Sequence, residues 1–322
     1  MSWQSFPKVE LHLHLEGAAD PATIRKLAVD KSVDISGIFD ADGHYQYEDF
    51  TAFLNVYEVA TQALQSPEDF NVLTQSVLEN LAEHNVIYAE AFLSPDFCGG
   101  RDVGAWKEYM DAIASAHVDG VTLKGIITCI RHFGPDKAIE TARCAAETAG
   151  DFIVGFGMAG AEAVGEQIDF KRSFDIARDA GLRLTSHAGE WRGADEVARA
   201  VNDLGVERIG HGVRAIEDAN VVSMLADKGI VLEVNPGSNI ALGVYPDLAS
   251  HPIARLRGAG VKVTVSTDDP PFFHTNMTRE FEALEHTFNW GQFDFTALNE
   301  TALEAAFCDA KTKEKLWDRL RG

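Results

Sequence analysis

Basic residues are in short supply. Lys and Arg number 28 against 50 Asp and Glu, which leaves a net charge of -22 and a pI near 4.8. That imbalance excludes attachment to nucleic acid or to an anionic membrane surface through bulk electrostatics, and it favours solubility. Cysteine is sparse as well. Cys98, Cys129, Cys144 and Cys308 are widely spaced with no Cys-x-x-Cys pair, so a thiolate zinc cage is excluded and reduced thiols in the cytoplasm are expected. No apolar run approaches the roughly 20 residues of a membrane span. The opening "MSWQSFPKVE" lacks the basic and then apolar pattern of a secretory signal. No Gly-x-Gly-x-x-Gly turn follows a strand, which removes the usual dinucleotide fingerprint. Repeats, low-complexity tracts and Pro/Ser/Gly-rich linkers are missing too, so a single domain over 1–322 is expected.

Short apolar, β-branched runs are abundant. "VELHLHLE" (9–16), "VIYAEAFLS" (86–94), "VTLKGIITCI" (121–130) and "FIVGFGM" (152–158) read as strands. So do "LRLTSHA" (182–188), "ERIGHGV" (207–213), "GIVLEVNP" (229–236) and "VKVTVSTDD" (261–269). Amphipathic stretches lie between most of them, among them 135–150 and 169–181, the latter with Asp169 as N-cap and Gly181 as C-cap. Eight strands alternating with helices in a chain of this length predict a (β/α)8 TIM barrel. Residues 18–85 hold far more than one helix and read as an all-helical insertion between the first and second strands.

Polar residues collect at predicted strand ends. In the first strand the period of two puts His12, His14 and Glu16 on one side and Leu11, Leu13 and Leu15 on the other. Strand five ends in "SHAGE" with His187 and Glu190, strand six in "GHG" with His211, and strand eight in "STDDPP" with Asp268 and Asp269. Singly, each has a bland explanation: a hydrogen-bonded histidine, a helix-start glutamate, a turn-forming Asp before Pro. Together they converge on the C-terminal rim, where barrels of this kind carry their active sites. Three neutral imidazoles and a carboxylate suit Zn²⁺ when thiolates are absent. Such an ion lowers the pKa of coordinated water to about 7, and a nearby carboxyl group can shuttle protons. Metal-assisted hydrolysis is the chemistry expected. The remaining histidines, His44, His84, His117, His132, His251, His274 and His286, lack such company and read as structural, His274 least clearly because it continues the rim.

"PKVELHLHLEG", "HAGE", "RIGHGV" and "TDDP", in this order, resemble the adenosine/AMP deaminase family of the amidohydrolase superfamily over most of the chain. The resemblance implies one zinc ion per chain held by His12, His14, His187 and Asp268. It implies Glu190 as the proton shuttle to purine N1, His211 as the group that orients and stabilises the attacking oxygen, and Asp269 as a contact to that oxygen and to N7. Gly160 in "MAGAE" would meet N3 through its amide. His14 and Glu16 would also face the substrate, and Phe50 and Phe53 would close the pocket from a helix within "DFTAFLNVYE" (49–58), whose apolar stripe also fits ordinary core packing. Strand four ends "GFGMAG" without the lysine that binuclear relatives use as a bridge, which favours one metal over two.

The resemblance implies a small 6-aminopurine substrate, and the family's cytidine-type counterparts are excluded by the missing Pro-Cys-x-x-Cys. Glu16 is ambiguous. Adenosine deaminases often carry Asp there, at the ribose 5′ hydroxyl, whereas relatives acting on free adenine often carry Glu. "MAGAE" and "NPGSN" depart from the adenine pattern, so adenosine or 2′-deoxyadenosine is the expected substrate, with adenine or a modified adenosine as the alternative. AMP is disfavoured because Glu16 would repel a 5′-phosphate. A non-enzymatic purine-binding barrel would be favoured by loss of a ligand or of the acid, and every such position is filled.

Overall fold

The computed structural model describes residues 2–321. β1 (Lys8–His14) is followed by α1 (Pro21–Lys31), α2 (Phe50–Thr61) and α3 (Pro67–Glu83) before β2 (Val86–Leu93). Helix and strand then alternate through α4 (Val103–Ser115), β3 (Thr122–Ile130), α5 (Pro135–Thr148), β4 (Ile153–Ala159), α6 (Lys171–Asp179) and β5 (Arg183–Ala188). The alternation continues with α7 (Ala194–Arg199), β6 (Arg208–His211), α8 (Ala219–Lys228) and β7 (Val231–Val234). α9 (Pro236–Ala241) and α10 (Ile253–Gly258) precede β8 (Lys262–Val265), and α11 (Met277–Phe288), α12 (Gln292–Ala305) and α13 (Ala310–Arg321) complete the chain.

The strands pair in parallel and in chain order, β1 to β8. Such strands are covered on both faces, which is why they read as near-continuous apolar runs in the sequence. The barrel closes just past β8, where Asp268 bridges to Leu13. The Asp268 amide donates to the His12 carbonyl at 3.1 Å, and the His14 amide donates to the Asp268 carbonyl at 2.9 Å. The (β/α)8 barrel expected from the sequence is therefore the fold, and its seam is made by residues of the rim.

Two local expectations need correction. The insertion is not all helical: residues 32–49 form turns and a short antiparallel bridge, Phe39 to Tyr45, between α1 and α2. Tyr45 stacks on Phe272 at 3.8 Å, so this stretch is held by aromatic packing against the β8 loop, which has no helical periodicity to reveal it. Asp169 does not cap α6. Its carboxylate accepts the Glu166 amide at 2.9 Å in a preceding 3₁₀ turn, and Gly181 follows the helix with φ at +83°.

Candidate metal and catalytic centre

His12 and His14 end β1, His187 ends β5, and Asp268 follows β8. One donor atom from each lies within 4.8 Å of the others. His12 Nε2 and His14 Nε2 stand 3.3 and 3.2 Å from Asp268 Oδ1. His14 Nε2 stands 3.3 Å from His187 Nε2. Ligands on a tetrahedron of about 2.0–2.1 Å bonds sit about 3.3–3.4 Å apart, so the spacing suits one small divalent cation. Proton positions agree. His187 Nδ1–H donates to the Met158 carbonyl at 2.8 Å, and His12 Nδ1–H donates to Glu233 Oε2 at 2.8 Å, so in the neutral rings both Nε2 atoms carry the lone pair. Burial holds His187 well below the usual imidazole range and lowers His14 as well. His12 Nε2 is buried without a hydrogen-bond partner. The His12 pKa goes the other way: burial lowers it, but the hydrogen bonds and charges of Asp268 and Glu233 outweigh burial and raise it to about 9. Protons and a cation therefore compete for this cluster, and a bound cation would displace the His12 proton.

Asp268 is held in the left-handed region, φ +67°, at a cost of about 1–2 kcal/mol for a residue other than Gly. That turn lets two adjacent acids serve the same cavity. Asp268 Oδ2 accepts from Ser238 Oγ at 2.7 Å. Asp269 instead leaves Oδ1 buried and unpartnered, packed where a Cβ on Gly17 would stand only 1.6 Å away. Burial, and then the charges of Asp268 and Glu190, push the Asp269 carboxyl well above its ordinary range.

Glu190 lies on the turn after β5, with Oε2 3.9 Å from His211 Nε2. Burial, followed by the charges of Asp268 and Glu162, raises its pKa well above the carboxylate norm and so favours its protonated form. Its turn is clamped by Glu162, whose carboxylate accepts the amides of Gly189, Trp191 and Arg192 at 2.5, 2.7 and 2.8 Å.

His14, His187 and Asp268 of the cluster, with Glu190, His211 and Asp269, border one cavity of about 90 Å³ together with Phe50, Phe53, Leu54 and Tyr57 of α2, and with Gly160, His132, Glu58 and Phe97; His12 lies behind them. Gly160 has φ +97°, and a Cβ there would stand 2.8 Å from His132 Nδ1, so only Gly fits beside that ring. Glu16 does not border this cavity. It is 4% exposed, and Tyr57 covers it, donating from its hydroxyl to Oε2 at 3.3 Å. Burial raises its pKa to about 7. His274 is exposed against His44 and lies outside the cavity.

Three side chains went unassigned from the sequence, and a fourth, His132, was read as structural although it lines the cavity. Glu233 orients His12 and is neutralised by Arg208, whose Nε donates to Glu233 Oε1 at 2.6 Å; the signal was a carboxylate inside the apolar run "VLEV". Ser238 and Glu162 act through distant backbone or side chains, and His132 reaches the cavity from the end of β3, links that no local pattern reveals.

An acid, a donor and a ligand set of three imidazoles and one carboxylate at the C-terminal rim of a parallel barrel define a hydrolase of the amidohydrolase class. Residues 7–322 match the family model described as adenosine deaminase. The chain belongs to that family: it is a purine-deaminating hydrolase, and deaminases of this superfamily depend on metal. It is 48% identical to a protein of Rhizobium johnstonii named adenine deaminase, over 97% of this chain and 98% of that one. An adenine deaminase crystal structure from Arthrobacter aurescens superposes with a TM-score of 0.90 at 30% identity, covering 98% of each chain. A Burkholderia ambifaria amidohydrolase with bound Zn superposes with a TM-score of 0.87 at 26% identity, covering 99% of this chain and 90% of that one.

Proposed function

We propose that this protein hydrolyses free adenine to hypoxanthine and ammonia, using a single zinc ion. The observation that carries the reading is the full-length similarity to the Rhizobium protein named adenine deaminase. The nucleoside preference expected from the motifs also gives way for a physical reason. The carboxylate expected to meet a ribose hydroxyl, Glu16, is sealed behind Tyr57.

His12, His14, His187 and Asp268 would hold the zinc, which when bound makes water acidic enough to be a nucleophile near pH 7. The other residues divide the remaining work. Phe50, Phe53 and Leu54 close over the base from α2 and exclude water, and the Gly160 amide meets N3. Asp269 accepts a proton from the attacking water and holds N7. His211 Nε2–H stabilises charge on the incoming oxygen as C6 becomes tetrahedral. Neutral Glu190 gives its proton to N1, and protons returned through it leave with the 6-amino group as ammonia. Ammonia release from adenine, adenosine, 2′-deoxyadenosine and AMP tests the reading: adenine should be the preferred substrate, and equal or better use of adenosine overturns it.

A further inference from the structure

We infer that His251, acting through Asn239, decides which nitrogen of His211 carries the proton, and so presents His211 to the reacting centre as an N–H donor. Neither His251 nor Asn239 borders the cavity, and both are buried. The chain of hydrogen bonds begins at a group whose direction is fixed. The peptide N–H of Ile253 can only donate, and it donates to His251 Nδ1 at 3.2 Å. That nitrogen therefore holds a lone pair, and the single proton of a neutral ring sits on Nε2.

His251 Nε2 lies 3.1 Å from Asn239 Oδ1, so the ring donates and the amide oxygen accepts. This contact settles the orientation of the Asn239 amide, which is otherwise symmetric in shape. The amide nitrogen then points the other way, at His211 Nδ1, 3.1 Å distant. A second amide nitrogen, from Asn235, stands 3.5 Å from the same atom. With N–H groups directed at it, His211 Nδ1 is an acceptor, and the proton of the neutral ring falls on Nε2. That nitrogen faces inward, 3.8 Å from Asp268 Oδ2 and 3.9 Å from Glu190 Oε2.

Burial, and then the Arg255 charge, lowers the His251 pKa to about 3, consistent with the single proton assumed for that ring. The backbone at His211 adds to the constraint: φ is +60°, so the ring is set by a left-handed turn before Gly212. A base at Nε2 would need the proton on Nδ1, where it would confront the Asn239 amide. The wiring thus assigns His211 to charge stabilisation and leaves proton acceptance to Asp269 and Glu190. That His211 serves the reaction rests on the function proposed above, whereas its tautomer does not.

The direct test is two-bond ¹⁵N–¹H correlation spectroscopy of the ¹⁵N-histidine-labelled, metal-loaded full chain. His211 should give a pyridine-like Nδ1 and a pyrrole-like Nε2; the opposite pattern overturns the inference whatever the substrate. Asn239→Asp places an acceptor opposite Nδ1 and should invert that pattern. With metal content unchanged, its kcat should fall about a hundredfold while KM moves little, the cost typical of removing one transition-state donor. His251→Gln, which can still donate to Asn239, should retain more kcat than His251→Ala. Asn239→Asp keeping kcat within about twofold of the parent would overturn the positioning role, and the parent spectrum decides the tautomer even if the variants do not fold.

Discussion

Adjacent acids with different duties are the sharpest feature at the scale of single residues. Asp268 accepts from Ser238 and faces the imidazoles, while Asp269 keeps an unpartnered oxygen at the cavity. Asp268→Ala should therefore lose bound metal and activity together, and Asp269→Asn should keep the metal and lose turnover by about a hundredfold or more. Elemental analysis beside kcat separates the two, and equal metal loss in both would contradict the division. Glu190→Gln keeps the shape but cannot pass a proton. It should retain metal and substrate binding while kcat falls at least about a hundredfold, and near-parent turnover would remove it from the mechanism. Most of these residues were legible in the sequence because each strand end exposes its terminal side chains at one rim. Asn239 and His251 were not, since their importance lies in the direction of hydrogen bonds between segments far apart in sequence.

Strand positions, helix alternation and the long insertion could all be read from hydrophobic periodicity, because parallel strands are apolar throughout and their covering helices are amphipathic. Residues 32–49 could not, since turns held by aromatic contacts have no period. Nor could the seal that α2 places over Glu16. Tyr57 sits on that helix between Glu16 and the cavity, and its apolar neighbours Phe53 and Phe272 fix its ring. Tyr57→Ala should open the cavity toward Glu16 and raise the adenosine-to-adenine ratio of kcat/KM about tenfold or more. Some stability will be lost, about 3 kcal/mol by analogy with other large-to-small aromatic replacements. An unchanged ratio in a folded, metal-loaded variant would mean that Tyr57 does not exclude the sugar.

Acidity runs through the whole molecule, and part of it is buried. Glu280 of α11 accepts from Thr275 Oγ1 at 2.6 Å and from the Gly237 amide at 3.1 Å, yet burial raises its pKa to about 7. Between its ordinary range, near 4.5, and about 7 the folded chain binds this proton more tightly than the unfolded chain does. Its contribution to stability is thus complete below the lower value and is lost as pH rises through the upper one. Glu280→Gln should flatten the decline in unfolding free energy between pH 5 and 7.5 by about 2–3 kcal/mol, measured by urea denaturation against the parent protein. Glu10 and Glu16, also raised to about 7 by burial, leave a residual slope in the variant. An identical slope in parent and variant would mean that Glu280 titrates normally.

This barrel of the adenosine deaminase family, with Glu16 covered by Tyr57 of α2, is proposed to act on the free base. The ratio of kcat/KM for adenine to that for adenosine, measured on the metal-loaded full chain, tests it most directly. A ratio of about a hundred or more is expected, since Glu16, the partner a sugar would need, lies behind Tyr57. A ratio at or below one would contradict the account.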